Sequence, residues 1–203
     1  MDIEQMLAEY EVRRVRQTWA FARDHGEWET MRACFHPDAT VCVSWFSGPA
    51  STFMERTIAM AKERKPEESS QHWFGNSRVS VKGNRAILEM DTMVLGRDRF
   101  DGHLFDFTIY LRMYDRIERR DRQWRILRMN PIYDKDRLDP VIPGSVPAAF
   151  FDGVRLTGRD AATGLMRWRS EKKGRKVPPD IDIGGADSEK KLRTEAEAWL
   201  AGG

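Results

Sequence analysis

Three ionisable residues of this 203-residue chain occupy positions where such side chains are either costly or useful. Asp24 falls at the C-terminal end of a predicted helix, where the helix dipole disfavours a carboxylate by a few tenths of a kcal/mol to about 1 kcal/mol. His72 precedes the first long predicted strand, and histidine has its ordinary pKa near neutral pH. Arg128 shares a predicted strand face with Trp124 and Ile126, where a guanidinium is costly unless it meets an anion or a polar ligand. An aspartate and a histidine are residue types that can carry acid–base chemistry.

Each of the three also has a purely structural interpretation. Asp24 could be a helix-end carboxylate and His72 an unrelated loop histidine. Arg128 could pair with a structural carboxylate, or Arg125 could line the rim in its place.

The sequence has no motif that predicts a metal or an organic cofactor. Its four histidines show no H-x-H or H-E-x-x-H spacing, and its two cysteines do not form C-x-x-C. A GxGxxG or P-loop pattern is absent as well. Cys34 and Cys42 are expected to be small buried hydrophobes rather than a disulfide framework. We therefore expect no cofactor and no metal.

The elements that must position these residues are three N-terminal helices followed by antiparallel strands. Apolar periodicity predicts helices over residues 3–24, 27–35 and 49–64. Strands are predicted at 41–46, around 79–81, and at 86–95, 103–116 and 124–130, the last being the final strand. Residues 97–102 are predicted to form a charged loop. This order predicts an α+β fold.

The strand at 103–116 has the strongest alternation. One face carries Phe105, Phe107, Ile109, Leu111 and Met113, and the other is polar and includes Tyr110. The pattern leaves open which face lines a cavity.

The composition changes after Pro140, where prolines and Gly144 predict a linker. Helices are predicted near 155–173 and at 187–201. We divide the chain into a domain over residues 1–139 and an extension over 140–203. The extension carries apolar side chains that a free tail would expose to water: Phe150, Phe151, Leu165, Trp168 and Trp199.

Composition excludes several classes of protein. Hydrophobic residues make up 40 % and charged residues 33 %, which is typical of a folded globular protein. The net charge of +2 argues against nucleic acid as a partner. No apolar run is long enough to span a membrane, and the acidic start of the chain lacks a signal-peptide pattern, so we expect a cytoplasmic location.

Several short phrases, in this order along the chain, resemble the SnoaL-like, NTF2-like superfamily. They are Phe35-His36-Pro37-Asp38-Ala39, His72-Trp73-Phe74-Gly75-Asn76, Gly83-Asn84-Arg85-Ala86, and Tyr114-Asp115 followed by Trp124-Arg125-Ile126. The resemblance covers about residues 5–135. It implies a cone in which a curved antiparallel or mixed sheet wraps an apolar pocket. It also implies a homo-oligomer, with a trimer favoured and a dimer possible, and we expect the extension to cover a neighbour or the chain's own pocket.

In the dehydratase and dehydrochlorinase members of this superfamily, an aspartate at the end of the first helix bonds a histidine that abstracts a proton. Asp24 and His72 match those positions, and Arg128 matches an arginine placed near the leaving group. One departure concerns the tyrosine that precedes the aspartate in related dehydratases, because Trp19 stands there. Tyr110, Tyr114 or His103 could supply the acid in its place. Trp45 and Trp73 complete the expected substrate-binding set.

The resemblance therefore implies a cofactor-independent lyase of the dehydratase, elimination or formaldehyde-lyase type. Its expected substrate is a hydrophobic small molecule such as a lignin-derived aromatic diol, a steroid or a terpenoid, which would fit a role in aromatic catabolism. The alternatives are an isomerase or polyketide cyclase, and a binding protein without chemistry, because fold alone does not decide function.

Overall fold

The computed structural model describes residues 2–158 and 161–202. Its helices are α1 (Ile3–His25), α2 (Trp28–Ala33), α3 (Ala50–Lys62), α4 (Gly164–Lys172) and α5 (Asp187–Ala201), with a 3₁₀ helix over Ala148–Phe151. Its strands are β1 (Phe35–Val43), β2 (Phe46–Pro49), β3 (Ser69–Lys82), β4 (Arg85–Phe100), β5 (His103–Arg120), β6 (Gln123–Met129), β7 (Pro131–Pro140) and β8 (Asp182–Ile183). The predicted α+β class is confirmed.

The strands form one sheet that branches at β5. The main order is β2-β1-β6-β5-β4-β3, while β7 also pairs with β5 and carries β8. The second half of β5 pairs with β6 and its first half with β7, both antiparallel. Two pairs are parallel, β1 with β6 and β7 with β8. Because long strands in a sheet twist, this arrangement gives a curved sheet with a concave side.

The N-terminal helices close the concave side. Asp2 caps α1 by accepting a hydrogen bond from the Gln5 backbone N–H at 2.8 Å, and Gly26 ends the helix in the left-handed conformation. α1 packs against β3 and β6, and α3 packs against β1 and β2. The core therefore lies between the concave face of the sheet and the helices, with Trp19 of α1 and Phe53 of α3 stacked inside it.

Two sequence-based predictions about the strands are wrong. Residues 97–102 are mostly strand, because β4 runs to Phe100 and turns through Asp101-Gly102, both with positive φ, into His103. An Asp-Gly pair is a strong signal for this tight hairpin. The strand at 124–130 is also not the last, since β7 follows it. The charged residues of β7 mask its strand character in the sequence, although Tyr133 and Leu138 pack in the main core and Ile132 packs on the opposite face in the smaller cluster under α5.

The extension packs on its own chain. α4 contacts β7, and α5 contacts β8, β4 and β3. Phe150, Phe151, Leu165 and Trp168 pack against the main core, while Trp199 joins a smaller cluster under α5. The helix predicted near 155–173 begins only at Gly164, and residues 159–160 of that prediction lie outside the described residues. Within the described ranges, every helix is too short or too polar to cross a membrane.

Candidate active site

Asp24 and His72 lie together at the junction of α1 and β3. The Nδ1 atom of His72 is 2.9 Å from Oδ1 of Asp24, and the His72 backbone N–H donates to Oδ2 at 2.6 Å. The sequence placed His72 before the strand, whereas it lies inside β3, paired with Val94 of β4. Two hydrogen bonds from one residue fix the carboxylate against the ring, so the geometry sets the orientation of the imidazole.

The pairing also sets the tautomer of His72. An ionised carboxylate can only accept, so Nδ1 carries the proton that is shared with Asp24 and Nε2 keeps its lone pair. Nothing in the described part of the chain hydrogen-bonds to Nε2, and His72 lines a cavity. A neutral imidazole with a free Nε2 facing a cavity can act as a base.

Burial is the main influence on the protonation of His72. It lowers the pKa of His72 to about 4, against the opposing hydrogen bond from Asp24 and with added repulsion from Arg23. Burial raises the pKa of Asp24, but the hydrogen bonds from His72 and the charge of Arg23 outweigh it, so the net direction is down. Asp24 is therefore ionised and His72 neutral at pH 7.

The cavity beside His72 has a volume of about 510 Å³, a size that suits a small organic molecule. The apolar face of β5 lines it through Phe107, Ile109, Leu111 and Met113, which settles the question that the alternation left open. Aromatic side chains from the helices and the β1–β2 turn face them: Trp19, Trp28, Trp45 and Phe53. Trp19 also meets the His72 ring edge to face, with centroids 5.3 Å apart. Trp19 and Trp45 therefore lie at the cavity wall, and their role in binding a substrate stays a prediction.

The structure corrects the placement of Arg128. Its Nε donates to Asn130 at 2.9 Å and its side chain, 39 % exposed, lies 3.8 Å from Glu195 of α5 on the outer side of the sheet. The reason is an irregularity in β6. Ile126 pairs with Ile117, but Arg128 pairs with Arg116, so one extra residue interrupts the alternation. Met129 takes the cavity side instead.

Four other predicted pocket residues also lie away from the cavity. Trp73 is 54 % exposed, because it points opposite to His72 on the same strand. Tyr110 stacks under the Lys135 ammonium, and Tyr114 packs under Arg193 of α5. His103 meets the ring of Phe150 in the extension. Strand alternation places the polar face of β5 outside, so the tyrosines on it are not available as acids for this cavity.

Arg23 and Tyr133 are among the polar residues that line the cavity and that sequence analysis missed. Arg23 donates to Oδ1 of Asp24 at 3.0 Å and to the Ser70 hydroxyl at 2.9 Å. Tyr133 of β7 accepts the Ser44 backbone N–H at 2.7 Å, which leaves its own O–H proton available to donate. Burial raises the pKa of Tyr133, so it stays protonated at neutral pH. Arg23 could have been found in the sequence because it is the neighbour of Asp24. Tyr133 was missed because it lies beyond the last predicted strand.

A wholly buried ion pair lies behind the dyad. Arg16 is 3.5 Å from Asp115, and its guanidinium stacks on the Trp19 ring at 4.2 Å from the ring centroid. Burial raises the pKa of Asp115 to about 6. The cation adds to the repulsion that keeps His72 neutral. Among residues 2–158 and 161–202, no group of three or more His, Cys, Asp or Glu side chains is arranged to hold a metal ion.

The curved sheet, the helices that close it and the apolar cavity define an NTF2-like cone. The model of the SnoaL-like domain matches residues 4–130, and the chain belongs to that family. This family includes dehydratases and isomerases as well as proteins without catalytic activity.

The chain is similar to a curated fungal protein and to several solved structures. A PEP2-like protein of Fusarium vanettenii is 28 % identical, over 97 % of this chain and 87 % of its own. A candidate scytalone dehydratase of Novosphingobium aromaticivorans superposes with a TM-score of 0.56 at 14 % identity, over 66 % of this chain and 88 % of its own. A type 2 hexachlorocyclohexane dehydrochlorinase gives a TM-score of 0.54 at 14 % identity, over 70 % of this chain and 95 % of its own. At such identities the two structures support the fold alone.

Proposed function

We propose that this protein is a cofactor-independent lyase that removes a proton and a leaving group from a hydrophobic small molecule. The observation that carries the proposal is the Asp24–His72 pair at 2.9 Å, with Nε2 of a neutral histidine left free beside a cavity that has an apolar wall. Such a pair is a general base held in one tautomer.

In the proposed reaction, Nε2 of His72 takes a proton from a carbon of the substrate. The electrons of that C–H bond form a new C=C bond, and the leaving group departs with its own bonding pair. Asp24 stabilises the imidazolium that forms. When the leaving group is hydroxide, it receives the proton from His72 and departs as water, so the enzyme returns to its starting state.

Tyr133 and Arg23 replace the groups that the sequence suggested for charge stabilisation. The Tyr133 hydroxyl can donate a hydrogen bond to the departing oxygen from its fixed position on β7. Arg23 lines the same cavity and supplies a positive charge beside the dyad. We assign both to stabilising negative charge in the transition state, a role that Arg128 cannot fill from the outer face.

The experiment is a turnover screen with hydroxylated aromatic, steroid and terpenoid compounds, including lignin-derived diols. Products are followed by mass spectrometry for loss of water or release of formaldehyde. His72→Ala should lower kcat/KM by roughly 10²–10⁴-fold, the usual contribution of a positioned acid or base. Tyr133→Phe should lower it as well, whereas Tyr110→Phe and His103→Ala are matched controls outside the cavity.

Two results would overturn the proposal. His72→Ala could keep the wild-type rate on a compound that the protein converts. Alternatively, the protein could bind compounds across the screen and convert none, which would favour the binding protein. An isomerised product without loss of mass would favour the isomerase or cyclase.

We also propose that the chain forms a homo-oligomer, with a trimer favoured over a dimer, through the outer face of the sheet. Trp73, Met93 and Tyr110 are neighbours across β3, β4 and β5 on that face, and the first two are 54 % and 37 % exposed. Adjacent exposed apolar side chains are a common feature of protein interfaces. The cytoplasmic location and the role in aromatic catabolism stay predictions from the sequence.

A further inference from the structure

One end of the cavity is lined by cations. Arg23 and Arg64 come from the helical side, and Arg169, Lys173 and Arg175 come from α4 and the turn after it. We call these five residues the cationic mouth. Arg64 and Arg175 are exposed, which places this end of the cavity at the surface. The extension thus supplies three of the five cations.

The acidic residues at this end neutralise part of the mouth but not all of it. Asp98 accepts from Arg169 at 2.7 Å and from Lys173 at 2.8 Å, and Lys173 also lies 3.6 Å from Glu68. In the part of the chain that the structure describes, Arg64 and Arg175 form no ion pair. Glu63 is the cavity-lining carboxylate that likewise has no ion-pair partner there. Two uncompensated guanidiniums against one carboxylate leave the mouth net positive.

We propose that the cationic mouth binds a carboxylate on the substrate, so that the ligand is an amphiphilic organic acid with an apolar body in the cone. The inference rests on the proposed function for the identity of the site, and it adds the chemical class of the substrate. A planar guanidinium matches a carboxylate through two parallel N–H···O contacts, which favours this anion over a neutral polar group.

The strand register shows how far the cations of α4 lie from the dyad. Val94 pairs with His72, and Asp98, which holds Arg169 and Lys173, lies four residues further along β4. At about 3.3 Å per residue, that is roughly 13 Å along the strand. A ligand that reaches from His72 to these cations therefore needs an elongated body.

A binding experiment tests this without any turnover. Naphthoate and naphthamide have the same ring and nearly the same shape but differ in charge, and the tryptophans that line the cavity report binding by fluorescence. Wild-type protein should bind naphthoate more tightly than naphthamide at pH 7, and added salt should narrow the gap. The double variant Arg64→Ala/Arg175→Ala should weaken naphthoate binding roughly 5- to 30-fold and change naphthamide binding little.

The matched control is Lys62→Ala/Lys176→Ala, which removes the same charge from neighbouring exposed positions that do not line the cavity. If naphthoate is bound by direct contact with Arg64 and Arg175, rather than by the net charge of the protein, the control should change neither affinity by more than about twofold. Glu63→Gln should strengthen naphthoate binding. Thermal unfolding of each variant confirms that it is folded.

Three outcomes would overturn the inference: equal affinity for both ligands in the wild type, equal losses in the double variant and its control, or no binding of either ligand at millimolar concentration. Failure of the lyase proposal would instead appear as unchanged turnover in His72→Ala, and it would leave the preference for an anion intact.

Discussion

Lowering the pH should remove the stability that the buried, neutral side chain of His72 contributes to the fold. Burial holds the pKa of His72 at about 4 in the folded state, against an ordinary value of 6.5 for the free side chain. Between those two pH values the unfolded chain binds more protons than the folded one, so stability is present above pH 6.5 and is lost as the pH falls. The full shift corresponds to roughly 3 kcal/mol, of which about 2 kcal/mol should be lost between pH 7 and pH 5.

The wild-type curve alone does not isolate this contribution. Burial raises the pKa of both Asp115 and Asp182 to about 6, and a carboxyl that holds its proton more tightly when folded becomes stabilising as the pH falls. These two groups therefore oppose His72. A variant without the imidazole retains their effect, so the difference between wild type and His72→Gln reports on His72.

The assay is urea unfolding of both proteins at several pH values between 7 and 5, with the free energy of unfolding taken by linear extrapolation. From pH 7 to pH 5, the free energy of unfolding of the wild type should fall by about 2 kcal/mol relative to that of His72→Gln. NMR titration of the ring proton, assigned by its absence in the variant, should give a midpoint near pH 4. If the difference in free energy between the two proteins does not change with pH, or if the midpoint of the titration lies near 6.5, then the His72 ring is in contact with water and its burial is wrong.

Three further predictions concern the outer face, the cavity floor and the extension. Trp73→Glu should convert the oligomer to a monomer in light scattering, while Tyr10→Glu on the exposed side of α1 should not; an unchanged mass in Trp73→Glu contradicts the proposed interface. Gly96→Ala should cost about 1–3 kcal/mol in urea unfolding, because the new Cβ would meet the Phe107 ring and lie 2.6 Å from the Ser69 carbonyl oxygen; Gly75→Ala, whose nearest contact is 3.3 Å, should cost less, and the reverse order would refute the packing. Arg193→Ala should lower the free energy of unfolding by about 1 kcal/mol, because Arg193 forms ion pairs with both Glu89 of β4 and Glu189 of α5. The control Lys191→Ala, at an exposed position of α5, should lower it by less. Equal stability of the two variants would contradict a stabilising role for the Arg193 ion pairs.

The elements with regular periods were predictable from the sequence. α1 and α3 begin and end within two residues of the predicted positions. β5 shows the predicted alternation, and the side chains of its apolar face line the cavity. Even in α1 the buried face was only partly readable. Leu7 and Tyr10 are more than half exposed, while Arg16 is wholly buried beside Asp115. A charged residue can be buried in a core when it forms an ion pair there. The partner of Arg16, Asp115, lies far along the chain, so a local sequence pattern does not predict the pair.

Irregular pairing limited the prediction of the site. In β7, Leu111 pairs with Tyr133 but Tyr110 pairs with Lys135, so one extra residue shifts the face on which Tyr133 lies. The charged residues of β7 also gave the sequence no strand pattern there, so Tyr133 was not predicted to line the cavity. The same kind of irregularity in β6 turned Arg128 outward. A bulge is set by the pairing of two strands, and a single-strand alternation rule does not include it.

Under the proposed lyase function, these two irregularities change which elements supply the groups that stabilise negative charge. What a developing negative charge requires is a donor at the right point of the cavity, whichever element supplies it. Here α1 supplies both Asp24 and Arg23, so the carboxylate that orients His72 and the cation beside it move as one rigid unit. Tyr133 is held by the Ser44 N–H on the opposite wall. We infer that turnover depends on the packing of α1 against β3, because that contact alone brings the base, its orienting carboxylate and the neighbouring cation together.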